Sequence, residues 1–453
     1  MKVCKFGGTS LADAGQVTKV CDIVAAEPDR RIVVVSAPGK RHAKDTKVTD
    51  LLIACAEKRL AGQATEGALN AVIRRFAEIQ EGLNLPVGLT AQIADSIRDR
   101  VNGDPSHRAR YLDGIKAAGE DNCAKLVAAE LDRRGLHARY LSPREAGMLL
   151  TDEYGNAQLL PESYENLARL RREEGIIVFP GFFGFTKGGE VVTFPRGGSD
   201  ITGSILAAAV KADVYENFTD QDFVFAADPR VVPNAAPIAE LTYREMRELS
   251  YAGFGILHEE AVIPAVQAGV PICIRNTNRP HLPGTRIVLH RIEKPGTVVG
   301  VASSTGFCAI YVSKYLMNRE IGFGRRLLQI LEDETLSYEH MPSGIDDLSV
   351  ILRESGFDPA TEARVLNRIR SELKVDDIEV ERGLALIMVV GEGMHYAVGV
   401  AAKATRALAD AGVNIEMLNQ GSSEISMMFG VKAKARDEAV RALYGAFFGE
   451  TAG

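Results

Sequence analysis

The last third of this chain is written twice. YVSKYLMNREIGFGRRLLQILEDETLSYEHMPSGIDDLSVIL aligns without a gap on MVVGEGMHYAVGVAAKATRALADAGVNIEMLNQGSSEISMMF. Met317 meets Met394, Gly322 meets Gly399, Leu331 meets Leu408, Glu339 meets Glu416, Gly344 meets Gly421 and Ser349 meets Ser426, each pair 77 residues apart. A single match is chance; six at one offset, in the same order of elements, indicate duplication. Each copy reads strand, loop, helix, strand, turn, strand, helix, which is a small ferredoxin-like α+β module (βαββαβ). A period this long excludes a solenoid.

Ahead of the duplication, strand-like and helix-like stretches alternate. VCKF, RIVVVS, ARYLS, GIIVFPGFFG, EVVTF, ADVYENF and PICIRN read as strands. Helical spacing predicts helices near 47–61, 65–81 and 121–134. Alternation of this kind means an α/β domain with a largely parallel sheet. EKPGT (293–297) reads as a linker. The expected organisation is therefore a domain over 1–292, a first module over 297–375 and a second over 376–453. TVVGVAS (297–303) is a candidate strand partner for the second module.

At 453 residues the chain is long enough for two or three cores. A net charge of −7 excludes an electrostatic nucleic-acid binder. The six cysteines are scattered without a CxxC, which fits reduced thiols in a cytoplasm. The eight histidines form no HxxxH pair, so no zinc site is expected. No apolar run reaches membrane-spanning length.

Two Gly-Gly turns carry the chemistry. In KFGGTS, Lys5 precedes Gly7 and Gly8; glycines there accept positive φ and let a ligand approach the backbone. N–H groups at a strand-to-helix turn suit phosphate oxygens, with the lysine ammonium beside them. A tight turn with a snorkelling lysine reads equally well from this motif alone. In RGGSD, Ser199 or Asp200 is placed to cap the following helix, which leaves Arg196 unexplained. Its guanidinium can grip a carboxylate. Two such turns, each tied to a cation and each after a strand, point to an anion-binding cleft at the carboxyl edge of the sheet. Ser36 of SAPGK faces that edge. Thr49 of VTDLL reads as a helix cap, and Glu120, inside a long helical stretch, as a solvated charge. TDQD and AADPR cluster polar residues after ADVYENF, as a nucleotide base or ribose would need.

KFGGTS, SAPGK, GE, PRGGSD, FTDQDFVFAADPRVV, GILHEEA and RNTNRPHLPGT occur in that order. As a set they resemble aspartate kinase (aspartokinase), of the amino acid kinase superfamily, with two C-terminal ACT modules. The resemblance spans nearly the whole chain and implies a monofunctional enzyme. It implies transfer of the ATP γ-phosphoryl group to the side-chain carboxylate of L-aspartate, with Mg²⁺ held through the ATP phosphates rather than by protein ligands. Carried over by motif, Lys5, Arg196 and Asp200 would be catalytic. Lys5, Gly7, Gly8, Thr219, Asp220, Phe225, Asp228, Arg230 and Gly255 would line the ATP site. Ser36, Thr49, Glu120, Arg196 and Ser199 would bind aspartate, Glu120 taking the amino group and Arg196 the α-carboxylate.

Two positions depart from the family pattern: Gly255 stands where many members have lysine, and Phe225 where tyrosine is common. The ACT pair implies a homo-oligomer inhibited by an end-product amino acid, lysine or threonine. Met317, Gly322, Ser337, Asp346, Asn414 and Ile415 are the candidate effector contacts. Asp346 and Asp347 favour a cationic effector, lysine, although a solvated strand start would read alike. The competing readings are a catalytically inactive amino acid sensor and a kinase of another acceptor such as glutamate.

Overall fold

The computed structural model describes residues 1–195, 197–255, 257, 261, 263–291, 296–421 and 425–449. The chain divides into two compact units. The first holds Met1–Val224, Pro237–Ser250 and Gly255–Ile292; the second holds Phe225–Ala236, Tyr251–Phe254 and Glu293–Gly453. The linker expected at 293–297 falls mostly outside the described residues.

In the first unit the strands are β1 (Lys2–Phe6), β2 (Arg30–Val35), β3 (Ala138–Tyr140), β4 (Ile176–Pro180), the hairpin β5 (Phe183–Phe185) and β6 (Val191–Thr193), and β7 (Val214–Thr219). Two-residue strands β8 (Val224–Phe225) and β9 (Pro237–Ile238) bracket 226–236, and β10 (Glu240–Thr242), β11 (Ile272–Asn276) and β12 (Thr285–Val288) follow. The main sheet has eight strands in the order β10–β12–β11–β7–β1–β2–β4–β3. It is parallel except where β11 meets β12. Unbroken apolar runs such as Ile32–Val35, fully buried, are what a sheet covered on both faces demands.

Helix α1 (Ala14–Ala25) lies between β1 and β2, and α2 (Val48–Leu60), α3 (Glu66–Gly82), α4 (Val87–Val101) and α5 (Arg108–Arg133) follow β2. α4 was not expected, and α5 begins well before the predicted 121. The short α6 (Pro143–Ala146) and α7 (Glu162–Ala168) precede α8 (Gly198–Ala209), which packs on β1 and β7. Gly203 allows that approach, since a Cβ there would lie 2.6 Å from the Tyr215 ring. No described helix is long and apolar enough to cross a membrane. All six cysteines are free.

β1 pairs in parallel with both β2 and β7, so Cys4 lies beside Glu216 and Lys5 beside Asn217. Side chains alternate along a strand, which puts Cys4 and Glu216 on one face and Lys5 and Asn217 on the other. The first face buries a charge network. Arg30 donates to Glu216 through Nε (2.6 Å) and Nη2 (3.0 Å), and Arg275 Nη1 donates to the same carboxylate (2.8 Å). Both guanidinium groups lie over the Phe218 ring, at 5.5 and 5.6 Å. Burial would raise the Glu216 pKa, but Arg30 and then Arg275 outweigh it and hold the carboxyl at about 2.

A carboxyl with a lowered folded pKa stabilises fully above its ordinary value of 4.5, and that contribution is lost as pH falls toward 2. Glu216→Ala takes the shared carboxylate from buried Arg30, which keeps Glu27, and from half-buried Arg275, and is expected to destabilise this unit by about 3 kcal/mol in urea unfolding at pH 7. A loss below about 1 kcal/mol would show the network to be well solvated.

In the second unit both repeats form one sheet. Its strands are β13 (Gly300–Ser313), β14 (Tyr338–His340), β15 (Asp347–Arg353), β16 (Asp377–Val390), β17 (Met417–Gln420) and β18 (Ser426–Lys432), in the order β14–β15–β13–β16–β18–β17. β13 and β16 run antiparallel along their whole length, Gly300 opposite Val390 and Ser313 opposite Asp377. Residues 300–303 therefore pair with 387–390 of the second copy, so each long strand serves both halves. Helices α9 (Tyr243–Tyr251) and α10 (Ile263–Ala268) precede this sheet in sequence; α11 (Phe323–Asp333), α12 (Pro359–Arg368), α13 (Val400–Asp410) and α14 (Arg436–Phe448) belong to the copies. The loops before α11 and α13 expose Ile321 and Val398, 77 residues apart, almost completely.

Candidate active site

β1 ends at Phe6, and the chain turns at once into a 3-10 turn over Gly8–Leu11. Gly7 has φ −71°, and neither glycine of KFGG lies in the left-handed region. The expected need for positive φ is thus replaced by a need for space. A Cβ on Gly8 would come within 2.9 Å of the Ala37 carbonyl oxygen and 3.3 Å of Gly39 Cα. The Gly7 N–H donates to the Phe218 carbonyl (3.1 Å), continuing the sheet, and so is spent within the protein. Gly8, first in the 3-10 turn, has no partner for its N–H within that turn.

The second turn uses its glycines differently. Gly197 has φ 78°, open to glycine at little cost, and is itself the N-cap of α8. Gly198 leaves room for Phe182, whose ring would lie 2.6 Å from a Cβ there. Ser199 and Asp200 stand inside the first helical turn and do not cap it, contrary to the capping expectation. The glycine cap frees both side chains, and Asp200 gains from the positive end of the helix dipole. Arg196 lies outside the described residues.

These turns converge on one cleft of about 230 Å³ lined by Lys5, Ser36, Lys47, Thr49, Glu120, Phe182, Gly197, Gly198, Ser199 and Asp200. Lys5, buried, pairs with Asp200 at 2.5 Å. Asn217 ties the two together: its Nδ2 donates to Asp200 Oδ1 (2.8 Å), and its Oδ1 accepts from Lys5 Nζ at 3.5 Å. Thr49 sits in the first turn of α2, whose N-cap is Lys47, so Thr49 is not the cap.

Glu120 is the largest departure from the reading of its segment. Its helix α5 buries residues on nearly every side, and Glu120 is only 6% exposed. Its Oε2 has no hydrogen-bond partner among the described residues. Burial lifts its pKa to about 7, against the smaller downward pulls of the Ala37 N–H and the Lys47 charge. A buried carboxylate oxygen left without a partner calls for a donor or a cation to satisfy it.

The nucleotide-side candidates divide between the units. In the first, Thr219 Oγ1 donates to Asp220 (3.2 Å), and Asn276 donates to the Asp220 carbonyl (3.1 Å). A Cβ on Gly255 would meet nothing within 4 Å among the described residues. In the second unit, Phe225 packs against the core of the second copy. Asp228 accepts from the Arg230 backbone and guanidinium (2.9 and 2.7 Å), which holds its carboxyl below the ordinary range.

Of the effector candidates, Met317 is buried and Gly322 caps α11 with φ 81°. Ser337 and Asn414 are exposed, and Ile415 packs on the second core. The Asp346 carboxylate accepts from Leu316 N–H (2.8 Å), bracing the loop before α11.

Lys47, Phe182 and Asn217 had not been singled out from the sequence. A signal existed for Asn217, which with Glu216 forms an adjacent polar pair in a buried strand. Phe182 has φ 76°, a strained state for an aromatic residue, which no sequence pattern announces.

A sequence model of the amino acid kinase family matches residues 1–276, and one of the ACT domain matches residues 387–447. Aspartokinase 3 of Bacillus subtilis is 58% identical over 448 residues, covering 99% of each chain. The crystal structure of Clostridium acetobutylicum aspartate kinase superposes with a TM-score of 0.89 at 37% identity, over 99% of this chain and all of that one. Escherichia coli aspartokinase III is similar in two states: with aspartate and ADP (TM-score 0.79, 26% identity, 99% and 100% coverage) and with lysine and aspartate (0.78, 25%, 99% of each).

Proposed function

We infer the function from one premise: this chain belongs to the aspartokinase family. It is an aspartate kinase. It transfers a phosphoryl group from ATP to the side-chain carboxylate of L-aspartate, giving 4-phospho-L-aspartate, the first step toward lysine, threonine and methionine. The roles of individual residues are our proposal, and the Lys5–Asp200–Asn217 cluster facing Glu120 across one small cleft carries it.

The acceptor carboxylate is already a nucleophile, so no strong base is needed. Catalysis then rests on alignment and charge. Lys5 meets the transferring phosphoryl group, and Asp200, held by Asn217, fixes the direction of its ammonium. The Gly8 N–H, without a partner in its own turn, donates to a phosphate oxygen. Glu120 takes the aspartate ammonium, Ser36, Thr49 and Ser199 hydrogen-bond its carboxylates, and Arg196 pairs with the α-carboxylate. Thr219 and Asp220 serve the nucleotide; Phe225, Asp228 and Arg230 are assigned to it by the family motif alone, and Gly255 is where a family lysine is missing.

Mg²⁺ would enter this site as a companion of the nucleotide phosphates, beside Asp200 and Lys5. Bound with ATP it would neutralise phosphate charge, beside Lys5.

Residues 297–375 and 376–453 would form the regulatory pair, binding an end-product amino acid and joining subunits. The exposed Ile321 and Val398 support self-association, and Asp346 and Asp347 support a cationic effector such as lysine. Reduced buried thiols fit a cytoplasmic enzyme. The function is tested by ADP release with a panel of acceptors, with hydroxylamine trapping of the acyl phosphate. Aspartate should be the productive acceptor; turnover with glutamate alone would refute the assignment.

A further inference from the structure

Residues 36–47 join β2 to α2 and are pinned along their length. Gly39 N–H donates to the Gly8 carbonyl at 2.7 Å, and a Cβ on Gly39 would lie 2.5 Å from Gly8 C. The segment therefore lies directly on the first Gly-Gly loop. Arg75 of α3, buried to 4% exposure, donates through Nη2 to the carbonyls of Gly39 (2.6 Å) and Ala12 (3.2 Å), and through Nη1 to Asp45. Asp45 also accepts from the Arg41 backbone and Nε, both at 2.9 Å. Val48 N–H closes the segment on the Pro38 carbonyl (3.0 Å).

This bracing ends at Lys47, which it sets at the mouth of the cleft that Ser36, Thr49, Glu120 and Ser199 line. Lys47 is a poor choice for that position on structural grounds. It is the N-cap of α2 yet makes no side-chain cap bond, and its charge sits at the end of the helix where the dipole repels cations. Lys47 is exposed, and its ammonium has no hydrogen bond or ion pair with the described residues. The cleft supplies the second observation: Glu120 points into it a buried carboxylate oxygen that has no hydrogen-bond partner among the described residues. An anion-bearing ligand with an ammonium would satisfy both groups at once.

We propose that Lys47 is a further aspartate-binding residue, its ammonium pairing with a carboxylate of the acceptor while Glu120 takes the acceptor's ammonium. The proposal rests on the reading of this cleft as the acceptor site. It makes the segment 36–47, clamped by Arg75 and Asp45, the device that delivers a cation from beyond the two Gly-Gly loops.

Steady-state kinetics of Lys47→Met, Lys47→Arg and Glu120→Gln test it. Lys47→Met should raise KM for aspartate by about ten- to a hundredfold, as expected for losing a charged hydrogen bond, with KM for ATP unchanged. Lys47→Arg should restore most of the loss. Lys47→Met should also move the acid limb of kcat/KM for aspartate to higher pH, because the cation that helps keep Glu120 ionised is gone. The other titratable groups around Glu120 stay in place: Lys5 and Asp200 share the cleft, and the buried thiol of Cys123 lies on its own helix.

If Lys47→Met leaves KM for aspartate unchanged while Glu120→Gln raises it, the acceptor site stands and the role of Lys47 falls. If neither variant affects aspartate, the reading of the cleft falls and the proposal with it. A rise confined to KM for ATP would place Lys47 on the donor side and overturn the proposal.

Discussion

Replacing Lys5 by alanine is expected to lower kcat for aspartyl phosphate formation by about 10³-fold or more, in the range of losing a preorganised charge from a phosphoryl-transfer site. The size follows from what remains. Asp200 keeps its hydrogen bond from Asn217 but loses its cation, so a negative charge would face the phosphoryl group where a balanced pair stood. Lys5→Met, which keeps the apolar stem along β1, separates chemistry from packing. Both variants should unfold cooperatively and keep the far-ultraviolet circular dichroism of the wild type, while the ADP-release assay falls to background. Retention of more than a tenth of kcat in either variant would remove Lys5 from the catalytic role.

Why this lysine could be picked out from sequence, and its partner could not, is a matter of range. KFGG is local: a cation and two glycines adjoin in the chain, and the physical reason for each is visible within six residues. Even there the sequence reading assigned the glycines to backbone freedom, whereas Gly8 is needed for the Ala37 carbonyl and Gly39 to come close. Asn217 is chosen by register. It matters because β7 pairs with β1 across more than two hundred residues, and because α8 starts two or three residues earlier than a Ser199 or Asp200 cap would have set it.

Helix α4 escaped notice for a related reason. It begins at Pro86-Val87-Gly88 with Val87 exposed, so its first turn looks like a loop. The duplicated modules were legible because a repeat reports itself, and the long β13–β16 pairing adds what a repeat cannot: one strand serves both copies. Glu120 lies between these cases. Its helical setting suggested a solvated charge, and only the family resemblance marked it as a ligand contact.

Glutamine at position 120 is expected to make the folded protein more stable and the enzyme worse. A carboxyl whose pKa is higher folded than unfolded binds its proton more tightly in the native state. Its contribution to stability is complete below the ordinary value of 4.5 and is lost as pH rises to about 7. That difference amounts to about 3 kcal/mol of stability forgone at pH 8. Glu120→Gln, which carries no charge to desolvate, should recover part of it at pH 8 and none at pH 4, read by urea unfolding at the two values. Its KM for aspartate should rise by about a hundredfold, because a neutral amide cannot replace a buried anion opposite an ammonium.

The pH profile ties the two results together. In the wild type, kcat/KM for aspartate should fall about tenfold per unit below the Glu120 pKa, since the protonated carboxyl no longer pairs with the substrate; in Glu120→Gln that limb should be absent. A variant that gains stability at pH 8 but keeps KM for aspartate would make Glu120 a buried charge retained for some other reason. One that loses aspartate affinity without gaining stability would mean that water already solvates the carboxylate in the empty cleft.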